Sequence, residues 1–163
     1  MKYKLFTLIT LCILTACINT KSESSANNDG QISFQNGDLM TDVSEDSLGN
    51  PLTYPTGEAA VTSQVKVWKP GFTSPWHYHP YTGIAYVVQG ELTVNFDSNT
   101  SLEDISAEKT VSSSQTFKAG DKAFLGVSNT WHYSESSGSE ELIFIVSWLG
   151  EKGSPIAVMG KTE

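Results

Sequence analysis

Two histidines one residue apart, His77 and His79, lie in a run of strand-forming residues bracketed by Gly71 and Gly90. Side chains two apart in a strand share a face, so this pair points one way and Tyr78 the other. The chain has only three histidines, and the third, His132, sits in a second strand-forming run after Gly120 and Asp121. Two strands laid side by side would bring all three imidazoles to one point. An H-x-H pair needs only one or two further donors to hold a divalent metal.

The rest of the chain reads as many short strands. From Pro51 the pattern is strongly β, with residues 51–57 an extended arm punctuated by Pro and Gly. Residues 61–68 alternate, placing Val61, Val65 and Val67 on one face, and Lys69-Pro70-Gly71 closes that strand. Residues 84–88 are continuously apolar, as in a strand buried on both faces. Gln89-Gly90-Glu91 reads as a tight turn into the clean alternation of residues 92–96. Residues 97–115 are polar and read as a loop, with room for one or two helical turns over 102–109 or for a short hairpin. Strand patterns return at 117, 123–127, 129–133 and 140–149, and residues 155–159 read as a last edge strand. Ile32, Phe34, Leu39 and Val43 are expected to pack on the domain as short strand-like pieces. Almost no helical periodicity is present, so the pattern gives an all-β sandwich or small barrel.

The spacing resembles the cupin family. Its first motif, G-x5-H-x-H-x3/4-E-x6-G, is matched by Gly71, His77, His79 and Gly90, with Gly83 where the glutamate ligand is expected. Its second, G-x5-P-x-G-x2-H-x3-N, is matched by Gly120 and His132 with one extra residue between them. There Gly126 stands for Pro, Ser128 lies near the usual Gly, and Ser136 replaces Asn. Trp76 to Pro80 and Gly120 to His132 also look like the W-H-x-H-P and G-D-x-A-F…N-T-W-H signatures of small bacterial cupins. The resemblance covers roughly residues 51–158 and implies the cupin double-stranded β-helix, a jelly-roll sandwich or barrel, with a single cupin domain read over residues 31–160. It implies His77, His79 and His132 as metal ligands, and a homodimer formed through the sandwich.

The N-terminus reads as a targeting segment. Lys2 and Lys4 precede an apolar stretch over residues 5–14 that is too short for an ordinary membrane span. Leu14-Thr15-Ala16-Cys17 looks like a bacterial lipobox, which makes residues 1–16 a lipoprotein signal peptide and Cys17 the lipidated residue. A plain secretory signal is the other reading. With Cys12 removed and Cys17 modified, the mature domain carries neither thiol nor disulfide. Residues 17–30, rich in Ser and Asn, form a flexible tether. Acyl chains anchor a protein to a membrane without spanning it. Ile18, rather than Asp, after the cysteine points to the outer membrane of a Gram-negative envelope, facing the periplasm.

The formal charge is −8, and there is no arginine. Phosphate-backbone binding rests on Lys and Arg, so nucleic acid is excluded as a partner. Without a bidentate guanidinium, only lysine could clamp a carboxylate or phosphate, which makes a strongly anionic substrate less expected.

Three neutral imidazoles suit Fe, Ni, Cu, Zn or Mn and leave two or three coordination positions for other ligands. The missing glutamate makes the centre more positive and less suited to Mn. It also leaves space at Gly83, with Ala85 facing the pocket. Tyr86 and Tyr133 are further pocket-lining candidates, and Tyr78 and Tyr81 could also bring a phenol near. Trp76 and Trp131 are read as packing or rim residues. Glu91 and Glu135 are poor replacements, one in a turn and the other of the wrong parity. Two functions follow. One is a metal-dependent enzyme, dioxygenase-like or related, acting on a small organic substrate, with no evident catalytic side chain. The other is a non-catalytic module that binds a small ligand or a metal.

Overall fold

The computed structural model describes residues 34–161. The signal segment, Cys17 and the tether therefore lie outside the described residues. Nine strands run in order along the chain: β1 (Ala59–Trp68), β2 (His77–Tyr78), β3 (Gly83–Gln89), β4 (Glu91–Asp97), β5 (Ser113–Lys118), β6 (Phe124–Gly126), β7 (Trp131–Ser136), β8 (Leu142–Glu151) and β9 (Val158–Met159). They make two antiparallel sheets, one ordered β1-β8-β3-β6 and the other β5-β4-β7-β2-β9. This is the all-β class expected from the strand pattern, in the jelly-roll form that the family resemblance implies.

Each sheet turns one face to the other, and period-2 alternation decides what lies between them. On β8, Leu142, Phe144, Val146 and Trp148 are buried, while Ile145 between them is exposed. On β4, Leu92, Val94 and Phe96 point in from the opposite sheet. Burying side chains of this size contributes about 1.5–3 kcal/mol each. Phe117 of β5 stacks on Phe124 of β6 with ring centroids 3.5 Å apart, joining the two sheets along one side. Gly90 makes the β3–β4 turn at φ +78, and a Cβ there would meet the Glu141 carbonyl oxygen at 2.9 Å. Only glycine satisfies both conditions without strain.

Several local expectations change. Phe34, Leu39 and Val43 are exposed rather than packed; Leu48 instead packs against the core from the N-terminal segment. Ile84 is also exposed, so β3 is buried on one face only. Residues 102–109 form turns and no helix. The loop is organised by Asp97, fully buried at the end of β4. Its carboxylate accepts hydrogen bonds from the backbone N–H groups of Asn99, Thr100 and Thr110 and from the Thr100 hydroxyl. Those donors favour the ionised form and hold the carboxyl below the usual range against the opposing effect of burial. The loop then covers Trp131, whose indole N–H donates to the Ser101 carbonyl, with the Lys109 ammonium over its ring.

Candidate metal centre

His77 on β2 pairs in register with His132 on β7, so two imidazoles from distant stretches stand directly opposite each other. His79 lies just beyond β2. The Asn129 N–H donates to its carbonyl at 2.8 Å, which ties this stretch to the β6–β7 turn. The three rings cluster, with centroids 4.4, 5.0 and 5.1 Å apart. One nitrogen from each lies within 4.8 Å of the others.

The hydrogen bonds decide which nitrogen that is. Nδ1 of His77 lies 2.8 Å from the Pro75 carbonyl, Nδ1 of His132 lies 2.9 Å from the Thr130 carbonyl, and Nδ1 of His79 meets the Ile156 carbonyl. A carbonyl only accepts, so each Nδ1 carries the proton and each Nε2 keeps its lone pair. A backbone acceptor behind each ring fixes tautomer and orientation, as at metal-bound histidines generally. Burial lowers the basicity of all three, His79 to about 4 and His132 well below its ordinary value. At neutral pH the cluster is uncharged and presents three converging lone pairs, which fits a divalent transition metal.

The histidines open onto a cavity of about 230 Å³ between the sheets. Gly83 and Ala85 line it, but Tyr86 and Tyr133 do not, and neither do Tyr78 or Tyr81. Tyr133 lies on the outer face of its sheet against Trp76, and Tyr78 lies there against Trp131. Tyr86 alternates with the buried Ala85 and Val87 and so faces away from the cavity. Glu91 pairs with Lys118, and Glu135 accepts a hydrogen bond from Asn95. Neither of these carboxylates lines the cavity.

Gly83 leaves no open space, contrary to expectation. A Cβ there would meet Val146 Cγ2 at 3.1 Å and the Trp148 indole at 3.2 and 3.3 Å. Trp148 pairs in register with Gly83 and packs against His79 at 5.1 Å, taking the position a glutamate side chain would need. Sequence reasoning missed Trp148, the Ile156 carbonyl and one further cavity residue, Lys66. Lys66 was legible in principle. If Val61, Val65 and Val67 share one face of β1, then Gln64, Lys66 and Trp68 share the other, and a tryptophan favours the buried side.

A jelly roll with three inward imidazoles at its open cavity defines a β-barrel protein with a site able to hold a metal. The Cupin domain family matches residues 64–148, just over half of the chain, and the chain belongs to the cupin family. Solved structures of related fold include the DMSP lyase DddQ from Ruegeria pomeroyi (17% identity, covering 63% of this chain and 45% of that one, TM-score 0.46). The L-ribose isomerase from Cellulomonas parahominis with no ligand is another (16%, 63% and 59%, TM-score 0.50). A third is the oxalate decarboxylase formate complex from Lactobacillus farciminis (20%, 61% and 26%, TM-score 0.47). The chain spans less than two thirds of each, and the likeness is one of fold. No curated protein matches the chain.

Proposed function

We propose that His77, His79 and His132 hold one divalent transition metal and that the chain is a metal-dependent enzyme, dioxygenase-like or related, acting on a small organic substrate. The observation that carries this reading is the set of three Nδ1–H groups donated to backbone carbonyls, which leaves three Nε2 lone pairs convergent. A bound divalent metal would supply Lewis acidity to a substrate oxygen, or a position for dioxygen. The protein positions the substrate between apolar walls such as Phe96, Phe144 and Trp148, which exclude water from it.

A second reading, a ligand-binding module without turnover, is favoured by one observation. Among the described residues no carboxylate and no phenol lines the cavity, which leaves the histidines and Lys66 as the side chains there of a type that serves as general acid or base.

The domain of residues 31–160 is proposed to hang from the outer membrane through a lipid on Cys17, after removal of residues 1–16 and on a tether of residues 17–30. The support for this is the Leu14-Thr15-Ala16-Cys17 sequence. A homodimer is proposed through the outer face of the β1-β8-β3-β6 sheet.

Elemental analysis of the purified chain tests the metal. About one Fe, Ni, Cu, Zn or Mn per chain is expected, and a His77→Ala/His132→Ala variant should lose it. No metal in either protein after reconstitution would overturn the reading. With the metal established, turnover across a panel of small substrates separates enzyme from module. Detergent-phase partitioning of the same preparation tests the anchor: the wild type should partition into detergent and Cys17→Ser should not.

A further inference from the structure

Beside the neutral histidines, Lys66 is the one side chain of charged type among the described residues that line the cavity. It reaches in because β1 alternates: Val65 and Val67 are exposed on the outer face, whereas Lys66 is partly buried and pairs in register with the inward Phe144. The ion pairs among the described residues are Lys118–Glu91 and Lys152–Glu58, so the Lys66 ammonium is in neither. Its charge belongs to the same cavity as His77 and His79. No aspartate or glutamate among the described residues lines the cavity to offset it.

This combination is unusual for its surroundings. The chain carries a net charge of −8, yet its cavity is locally positive, and the positive group faces largely apolar walls that screen it poorly. An unpaired charge half out of water is costly, and a ligand of opposite sign relieves that cost. The walls bearing Phe117, Phe124, Val127 and Ile156 suit a hydrocarbon body, and about 230 Å³ suits a molecule of few heavy atoms.

We propose that Lys66 is the anion-recognition residue of this site, and that the ligand is a small carboxylic acid whose carboxylate meets the Lys66 ammonium while a second oxygen function reaches the histidine cluster. Keto acids, hydroxy acids and dicarboxylates belong to this class. The inference rests on the proposed metal for its second contact and on Lys66 alone for its first. Lysine serves here as a compact point charge, so one carboxylate oxygen suffices and no guanidinium fork is needed.

Calorimetric titration of the purified full chain loaded with zinc, which is redox-inert, tests the proposal. The probes are 3-hydroxypropanoate and 3-hydroxypropanamide, which share the hydroxyl and differ in having a carboxylate or a neutral amide. The wild type should bind the acid at least about tenfold more tightly than the amide, as a charge-assisted hydrogen bond implies. In Lys66→Met the preference should shrink to within about twofold, with zinc stoichiometry unchanged. Lys66→Arg should keep most of it, which separates loss of charge from loss of fold. Equal binding of the two probes by the wild type, or an undiminished preference for the acid in Lys66→Met, overturns the proposal. If the chain binds no zinc, the metal reading fails by itself, and the same titrations on the metal-free chain decide the role of Lys66. Binding of the acid that depends on Lys66 upholds it, and no binding of the acid overturns it.

Discussion

His79 is fixed from two directions. Its ring donates to the Ile156 carbonyl and its own carbonyl accepts from the Asn129 N–H. Burial outweighs the Ile156 contact and lowers its pKa from 6.5 to about 4. In the unfolded chain the imidazole takes a proton near pH 6.5; in the folded, metal-free protein it does not do so until about pH 4. Stability is therefore complete above pH 6.5 and falls as the pH drops from 6.5 towards 4, because the unfolded state binds the extra proton. His79 alone accounts for a loss of about 2 kcal/mol by pH 5, and His77 and His132 act in the same direction. Urea denaturation of metal-free protein at pH 7.5, 6 and 5 should show this slope, and His79→Ala should make it shallower without abolishing it. A wild-type stability that is level from pH 7.5 to 5 would contradict the neutral, buried assignment. The His77–His79 pair was readable because H-x-H parity is a local property of any strand, and the motif spacing added His132. The acceptor behind the His79 ring was not, since Ile156 lies 77 residues away from His79 in the chain.

At the scale of elements, β3 and β8 exchange a small residue for a large one. Gly83 sits beside Trp148 in register, and the indole occupies what the missing side chain leaves. Gly126 faces Gly83 from β6, extending the flat strip on which the cavity rests. Gly83→Glu should destabilise the protein by more than about 3 kcal/mol, since it overpacks the core and buries a carboxylate. Trp148→Ala should cost about 3–5 kcal/mol. In the double variant the carboxylate enters the space vacated by the indole, so the combined loss should fall short of the summed single losses by at least about 1 kcal/mol. Additive losses in equilibrium unfolding would mean the two positions do not share that space. The sequence marked Gly83 as the departure from the family pattern, but it held no sign that a residue 65 positions on had filled the gap.

For the molecule as a whole, the outer face of the β1-β8-β3-β6 sheet is apolar where a solvated face would be polar. Val61, Val65 and Val67 are exposed, as are Ile84 and Ile145. The cross-strand row Val65, Ile145, Tyr86 carries no charge, and β1 has a neighbour on one side only among the described residues. In a chain of net charge −8, two copies repel overall and an uncharged patch is where they meet at least cost, and a twofold interface packs one patch against the same patch of the partner. A second copy is the occupant proposed for this face. Sedimentation should find the wild type dimeric and a Val65→Lys/Ile145→Lys variant monomeric, with affinity reduced at least tenfold, as desolvating two like charges implies. A wild type that stays monomeric at the highest attainable concentration would remove the interface.

The sequence by itself determined the all-β class, the places of most strands along the chain and the pairing of His77 with His79 on one face, because strand parity and turn chemistry are set by neighbouring residues; the motif spacing added His132. Tertiary structure settled which face of β1 is the inside, where the valines on one side and Trp68 on the other pull opposite ways. On β1 the β-branched valines face outwards while Gln64, Lys66 and Trp68 face inwards. Alternation assigns residues to two faces but does not say which face meets the opposing sheet. That choice depends on the volume and charge supplied across the sandwich by strands far away in the chain.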